Sequence, residues 1–215
     1  MKSLKYLAVA LIAAITSVSA AAQDNAHFGV RVAYDMTTST TVTEMTGWGS
    51  GFSVGGVYYA PFGKRTFFQT GLLFYVDNIK LDGTTENKYN PHTYDGNIRN
   101  LGIRLPIDLG LRILENSVVA LNVYTGPHLY FNFASKMICD ETYGGKTTHV
   151  DEKFMTSGME IGWALGVGAD FFKRWHIHLE GAYGLSYLGK TDRFELGKES
   201  NLKRAEISLG VGYNF

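Results

Sequence analysis

One stretch of the sequence satisfies the pattern of a nucleotide-binding P-loop. Gly184 is followed by four residues and then by Gly189, Lys190 and Thr191. Such a loop holds phosphates with its backbone N–H groups and its lysine, and it must open an amphipathic helix. The residues that follow, 192–201, are polar and lack the apolar repeat of a helix. We therefore predict no cofactor-binding site, and we interpret the match as a strand end that enters a long loop.

Two groups of side chains have the residue types of metal ligands. His176 and His178 are two residues apart, near Glu180, so they would share one face of a strand. No third ligand is evident from the spacing, which favours a network of ion pairs instead. The second group gathers in residues 134–157 and consists of Cys139, Asp140, Glu141, His149, Asp151 and Glu152. No ligand spacing there matches a known calcium or zinc loop, so we predict no metal site and a solvated external loop.

The start of the chain has the layout of a secretory signal peptide. Residues 1–22 contain two early lysines, then an apolar run, then small residues. The apolar run is too short to cross a bilayer as a helix. Cleavage after Ala20 or after Ala22 satisfies the small-residue rule. We favour Ala22, which makes residues 23–215 the exported domain.

The composition suits a β-rich chain. It has 25 Gly, 13 Tyr, 13 Phe and only 4 Pro. Lys+Arg and Asp+Glu balance at 20 each, which argues against a disordered protein and against a polybasic nucleic-acid binder. The single cysteine, Cys139, excludes an internal disulfide. After residue 22 no run of 18 apolar residues occurs, so a membrane-spanning form of this chain has to be a barrel.

Apolar and polar residues alternate with period two in eight segments that continue to the last residue. The segments are 27–35, 51–60, 66–77, 99–113, 118–133, 158–171, 175–188 and 202–215. A helix cannot use this pattern, because its apolar stripe repeats every 3.6 residues. Tilted strands of about 9–11 residues are what a bilayer requires of a barrel. The pattern predicts an all-β fold, an eight-stranded antiparallel up-and-down transmembrane β-barrel.

The connections between the segments alternate in length. Short turns are predicted at 61–65, 114–117 and 172–174, and long polar loops at 36–50, 78–98, 134–157 and 189–201. Outer-membrane barrels have short periplasmic turns and long external loops. An antiparallel soluble sheet has no need of this segregation, so the order of loop lengths indicates an outer-membrane barrel of a Gram-negative bacterium.

The signal peptide, the eight segments and the terminal Val211-x-Tyr213-x-Phe215 resemble small outer-membrane β-barrel proteins. The chain is most similar to the PorT-like barrels of Bacteroidetes, and more loosely to OmpX- and OmpA-type barrels. The resemblance covers the mature chain and is one of pattern. It implies that Phe215 is read by the barrel-insertion machinery, and that the protein supports secretion or envelope assembly.

The inward faces of the segments are predicted to be charged. They carry Arg31, Arg104, Asp108, Arg112, His128, Glu160, Asp170, His178, Glu180, Arg204 and Glu206. An eight-stranded barrel is only wide enough for side chains to fill it, and buried charges are costly unless paired. We therefore predict a network of ion pairs that blocks the lumen. Pro106 and Pro127 lie inside segments, where we expect bulges or irregular pairing.

Some eight-stranded barrels are enzymes that modify lipid A. The deacylase type needs a nucleophilic serine with a histidine close by on the strand face, and no His-x-Ser step occurs here. Ser186 and Ser208 face inward in the predicted register, away from lipid. The palmitoyl-transferase type adds a helix before the barrel, for which the few residues after Ala22 leave no room. We predict no catalytic residues and no enzyme activity.

These observations favour a non-enzymatic barrel that sits in outer-membrane lipid and presents four external loops to a protein or glycan partner. The loop 78–98 carries Tyr89, His92 and Tyr94, which suit polar recognition. Three alternatives stay open from the sequence: a lipid-modifying enzyme, a narrow ion channel, and a soluble lipocalin-like barrel with its apolar faces inside.

Overall fold

The computed structural model describes residues 26–41, 46–84, 92–154, 158–191 and 200–215. The predicted signal peptide lies outside these residues. The described residues form these strands: β1 His27–Ser39, β2 Thr46–Gly47, β3 Gly49–Pro61, β4 Thr66–Thr84, β5 Thr93–Glu115, β6 Val119–Tyr143, β7 Lys146–Lys153, β8 Met159–Phe171, β9 Trp175–Gly184, β10 Gly189–Thr191, β11 Ser200–Leu202 and β12 Arg204–Asn214. Across these residues no helix is long and apolar enough to cross a membrane.

Eight of the strands close into a ring. The order is β1, β3, β4, β5, β6, β8, β9, β12 and back to β1, and every neighbouring pair is antiparallel. Each predicted segment overlaps one strand of this ring, although the bounds differ, most of all in β4, β5 and β6. The prediction of an eight-stranded up-and-down barrel is therefore confirmed.

The alternation along each strand separates two faces. In β1, Arg31 and Asp35 are buried, whereas Val30, Val32 and Tyr34 are between 43% and 48% exposed. The same division holds in β12, where Leu209 and Val211 are exposed and Glu206 and Ser208 are buried. The barrel thus turns its apolar side chains outward and its charged side chains inward, the reverse of a soluble barrel.

One end of the barrel carries the short connections, as predicted. β3 and β4, β5 and β6, and β8 and β9 are joined there by turns of three or four residues. Asn116 accepts hydrogen bonds through Oδ1 from the N–H groups of Val118 and Val119, at 2.9 and 2.8 Å. Phe172 and Lys173 adopt positive φ angles of 52° and 62° in the turn between β8 and β9.

At the opposite end the prediction of long polar loops is wrong for most of the described residues. β4 continues to Thr84, β5 begins at Thr93, and β6 continues to Tyr143 and returns as β7. The turn between β6 and β7 consists of Gly144 and Gly145, with φ angles of 55° and 77°. Two glycines at positive φ match the strand twist in a two-residue hairpin. The polar residues of these strand ends resemble a loop in the sequence, although they continue the strands.

The extended strands enclose an apolar core at this outer end. Its buried members are Ile79, Leu81, Tyr94, Ile98, Met137, Cys139, Val150, Phe154, Leu188 and Leu202. A bulge determines which residues of β6 point into this core. Leu101 pairs with Ala134 but Gly102 pairs with Asn132, so Phe133 is the extra residue of β6. Beyond a bulge the alternation of a strand changes phase. The odd-numbered Met137 and Cys139 therefore point inward, and Lys136 and Asp140 point outward.

The prolines interrupt pairing without shifting it. The β4–β5 ladder breaks between the pairs Thr70–Ile107 and Leu73–Arg104 around Pro106, and the β5–β6 ladder breaks beside Pro127. The register is the same on both sides of each break. The expectation of irregular pairing is met, but the bulges themselves lie elsewhere, at Phe133 and near Arg112.

Candidate functional site: the charged lumen and the outer groove

The structure places the predicted inward residues within the barrel. Arg31, Arg104, Asp108, His128, Glu160, His178, Glu180, Arg204 and Glu206 are buried, and Arg112 and Asp170 are partly buried near the short-turn end. Sequence reasoning missed three further members, Asp35, Gln69 and Asp77. Asp35 and Asp77 were placed at the ends of segments, whereas β1 and β4 continue past them. Their inward positions follow from the alternation once the longer strands are known.

The layer beneath the apolar core is centred on Arg204. Its guanidinium pairs with Asp77 through Nη1 and with Glu160 through Nη2 at 3.1 Å. It also lies over the rings of Tyr75 and Tyr130, with Cζ 5.2 and 4.7 Å from the centroids. The pairs connect β12 with β4 and β8, so they brace strands that are not neighbours in the ring.

Arg104 holds the next layer. Its Nη1 pairs with Glu206, and its Nη2 lies 3.8 Å from Asp35 Oδ1 and donates to Ser53 Oγ at 3.1 Å. Glu180 Oε1 is 3.9 Å from Nη1. Charged hydrogen bonds in a low-dielectric interior are strong when each partner is satisfied. The hydrogen bonds of Arg104 link β5 with β12 and β3, and its longer ion pairs link β5 with β1 and β9.

The middle of the lumen contains a chain of polar contacts. Arg31 donates to Gln69 Oε1 at 2.9 Å, and Gln69 Nε2 donates to Asp108 Oδ2 at 3.4 Å. Asp108 Oδ1 lies 3.2 Å from His128 Nε2, and Glu180 Oε1 lies 3.7 Å from His128 Nδ1. The sequence does not predict that these side chains meet. They lie on different strands, and alternation with period two shows only whether a residue faces inward or outward.

His176 and His178 do not form a joint metal site with Glu180 in the structure. His176 Nδ1 lies 2.7 Å from Asp170 Oδ1, in a lower layer, and its ring is 5.4 Å from that of His178. Both rings use space left by glycines on the facing strand. A Cβ at Gly210 would lie 2.4 Å from Cε1 of His178, so only glycine leaves room there.

Little space remains inside the barrel. Beside His128 and Glu180 a cavity of about 20 Å³ is left, which suits about one water molecule. A vestibule of about 440 Å³ opens at the short-turn end, where Arg112 donates to Tyr59 Oη at 2.7 Å. It is separated from the outer side by the charged layers and by the apolar core.

A second open space lies on the outer side, along the β6–β7 hairpin. This outer groove measures about 450 Å³ and is lined by His92, Glu141, Tyr143, Thr148, His149, Val150, Asp151 and Glu152. His92 lies 2.8 Å from Glu141 and stacks on Tyr143, with ring centroids 4.3 Å apart. His149 lies 2.7 Å from Asp140 on the exposed surface.

Of the residues that the sequence grouped with Cys139, Glu141, His149, Asp151 and Glu152 line the outer groove, but Cys139 does not join them. Cys139 faces the apolar core and is 2% exposed, whereas Asp140 and His149 point outward. Tyr94 also belongs to the core and is 1% exposed, and Tyr89 lies outside the described residues. The P-loop residues Lys190 and Thr191 lie in β10, which pairs with β11 and does not begin a helix.

Comparison with known proteins agrees with this architecture. Residues 21–188 match the family described as outer membrane protein beta-barrel domain. The chain belongs to this family. It is therefore an outer-membrane protein of a Gram-negative bacterium, and its outward apolar face lies in lipid. No functionally curated protein matches the sequence.

Several solved structures are similar over most of their length. Ail, the attachment invasion locus protein of Yersinia pestis, is 15% identical, with 88% of this chain and 97% of that chain covered and a TM-score of 0.36. Neisserial surface protein A is 15% identical, with the same coverage and a TM-score of 0.40. OprG from Pseudomonas aeruginosa is 9% identical, with 88% and 95% covered and a TM-score of 0.48.

Proposed function

We propose that the protein is a closed, non-enzymatic outer-membrane barrel that anchors an external β-structured recognition surface. The filled lumen carries this proposal. Arg104 and Arg204 occupy its width with their carboxylate partners, and the apolar core covers them on the outer side. A soluble partner outside the cell can therefore contact this barrel only at its outer end.

The recognition surface that we assign is the outer groove. It combines stacked rings, His92 on Tyr143, with carboxylates and hydroxyl groups on a paired hairpin. Aromatic faces and polar groups held on a rigid scaffold suit a protein or glycan partner. As in the PorT-like barrels that the chain resembles, its role would then be support of secretion or envelope assembly.

The two other functions raised by the sequence find less support. An enzyme acting on lipid needs a nucleophile at the lipid face, but Ser208 is 1% exposed and donates to Asp35, and Ser186 Oγ accepts from the N–H of Ile161. A channel needs a continuous water path, but the gap beside His128 suits about one water molecule.

Export and assembly complete the proposal. We assign residues 1–22 as the signal peptide, and Phe215 as the residue read by the insertion machinery. Phe215 is 76% exposed at the short-turn end, where its N–H donates to the carbonyl of Phe28 at 2.8 Å. Its ring is therefore accessible while its backbone is fixed in the barrel.

In-cell photocrosslinking tests the recognition surface. A photoreactive amino acid at Thr148, which lines the groove, is expected to give a discrete adduct on intact cells. The matched control is Ser117, which is exposed in a short turn at the opposite end. Absence of an adduct at Thr148, or the same adduct at both positions, would contradict the proposal.

A further inference from the structure

Three side chains from three strands meet in the middle of the lumen. They are Asp108 of β5, His128 of β6 and Glu180 of β9. One carboxylate oxygen of each acid and one ring nitrogen of His128 all lie within 4.8 Å of one another. The three residues are 0%, 1% and 7% exposed. A carboxylate pair and an imidazole are ligand types that zinc accepts.

His128 is incompletely satisfied in this position. Its Nε2 faces Asp108 at 3.2 Å, but its Nδ1 has no hydrogen-bond partner within the described residues and faces Glu180 at 3.7 Å. A neutral imidazole donates from one nitrogen only, so the other presents a lone pair. Next to a carboxylate such a lone pair is unfavourable, and either a second proton on the ring or a cation between the groups removes the conflict.

The lumen as a whole carries more carboxylates than guanidinium groups. The described inward carboxylates are Asp35, Asp77, Asp108, Glu160, Asp170, Glu180 and Glu206, and the guanidinium groups are Arg31, Arg104, Arg112 and Arg204. If all seven carboxylates are ionised and His128, His176 and His178 are neutral, the negative charges exceed the guanidinium groups by three. Buried charges without a counter-charge are strongly disfavoured, so this interior has room for additional positive charge.

The surroundings of the cluster have the organisation of a metal site. Gln69 donates to Asp108 Oδ2 at 3.4 Å and is itself held by Arg31 at 2.9 Å, which orients the carboxylate from outside. Arg104 lies 3.9 Å from Glu180 but is engaged by Glu206 and Asp35. The cavity of about 20 Å³ beside His128 and Glu180 suits one water molecule as a further ligand.

We propose that Asp108, His128 and Glu180 bind one divalent transition-metal ion of the zinc class, with water as the fourth ligand. For tetrahedral ligation at about 2.0–2.1 Å the ligand atoms must move closer together. The ion would join β5, β6 and β9 across the lumen, and it would enter as the barrel closes, because the finished lumen is filled. The spacing of the three ligands in the sequence does not indicate this site, since they come from distant segments.

Metal analysis of the full-length protein tests the proposal. The protein is unfolded in urea with EDTA, refolded in detergent with a small excess of zinc, desalted and analysed by mass spectrometry. We expect about one zinc per folded barrel, and at least a tenfold loss in Asp108→Asn and in His128→Gln. His176→Gln is the matched control, because His176 lies in the lumen but pairs with Asp170, and it should retain the zinc.

Folding of each variant is checked by the mobility difference between boiled and unboiled samples. Cobalt provides a test that needs no variant, because the folded wild-type barrel should then show the intense visible absorption of tetrahedral Co²⁺. If the folded wild-type barrel shows no such absorption and no zinc above the EDTA-treated sample, the proposal is wrong. Equal zinc in His128→Gln and wild type would also overturn it.

Discussion

Arg204 and Asp77 are 127 residues apart in the sequence, yet they form a buried ion pair that joins β12 to β4. Both side chains are 1% exposed, and Glu160 shares the same guanidinium. Such a pair is a weak source of net stability, because both charges lose their hydration. Its rupture is expensive, because the remaining charge is left buried and unpaired.

Replacing Arg204 by methionine should therefore destabilise the barrel strongly. Asp77 and Glu160 would lose their shared partner, at a cost of about 3–5 kcal/mol. Urea titration in detergent micelles, followed by tryptophan fluorescence, measures the change. The double variant Arg204→Met, Asp77→Asn should lose less than the sum of the single variants, since fewer charges remain unpaired.

The control for this prediction is the exposed pair Lys136–Asp151, whose atoms are 2.8 Å apart and whose side chains are 52% and 44% exposed. Lys136→Gln should cost less than about 1 kcal/mol, because solvent screens the pair. Equal losses in Lys136→Gln and Arg204→Met would show that the lumen network is not buried as described.

The thiol of Cys139 should be protected from reagents on intact cells. It is 2% exposed within the outer apolar core, although it lies in a segment rich in polar residues. A membrane-impermeant maleimide should label it only after unfolding in urea. Thr148→Cys in a Cys139→Ser background should react at once. Rapid labelling of Cys139 in the folded wild-type protein would contradict the inward orientation of this side chain, which follows from the Phe133 bulge.

A charge on the lipid face should be penalised according to its depth. Leu209 is 56% exposed on β12 and pairs with Tyr34 and Leu179 in the central part of the barrel. Leu209→Arg should cost roughly 2–4 kcal/mol of folding free energy in lipid vesicles. Tyr143→Arg, in the external hairpin at 44% exposure, should cost less, because only the stacking on His92 is lost. A neutral Leu209→Arg would argue against a lipid-facing surface.

Loss of the Phe215 ring should impair assembly more than stability. The ring is exposed and contacts Tyr213, with centroids 5.5 Å apart, so it adds little to folding. Phe215→Ala should lower the amount of folded protein in outer membranes and leave refolding in detergent almost unchanged. Phe28→Ala, an exposed aromatic residue at the same end, serves as the control. Equal amounts of folded Phe215→Ala and wild-type protein in outer membranes would contradict the role assigned to Phe215.

Much of this fold could be predicted from the sequence, because the alternation of apolar and polar residues shows directly which face of a strand each residue occupies. Arg31 and Glu206 could be assigned to the lumen on that ground alone, and Val32 and Leu209 to lipid. The short turns followed from the interruptions of the pattern. Strand length was harder, because β4 and β5 leave the bilayer, and residues such as Asn78 and Lys80 then resemble a loop.

The candidate sites were much less predictable. One extra residue, Phe133, reverses the phase of β6, and the sequence gives no local signal of which residue will bulge. The meeting of Asp108, His128 and Glu180 depends on the register of strands that are far apart in the chain. Alternation determines which face of the sheet each of these residues occupies, but not its height in the lumen. Which side chains meet across the barrel is therefore known only once the strands are closed into a ring.

Conductance of the purified, folded protein in planar lipid bilayers tests the central claim most directly. We expect insertion without conductance steps, since the paired charges around Arg104 and Arg204 and the apolar core above them block the lumen. Stable, single-size conductance steps from folded protein would contradict it and would make the lumen a water-filled path.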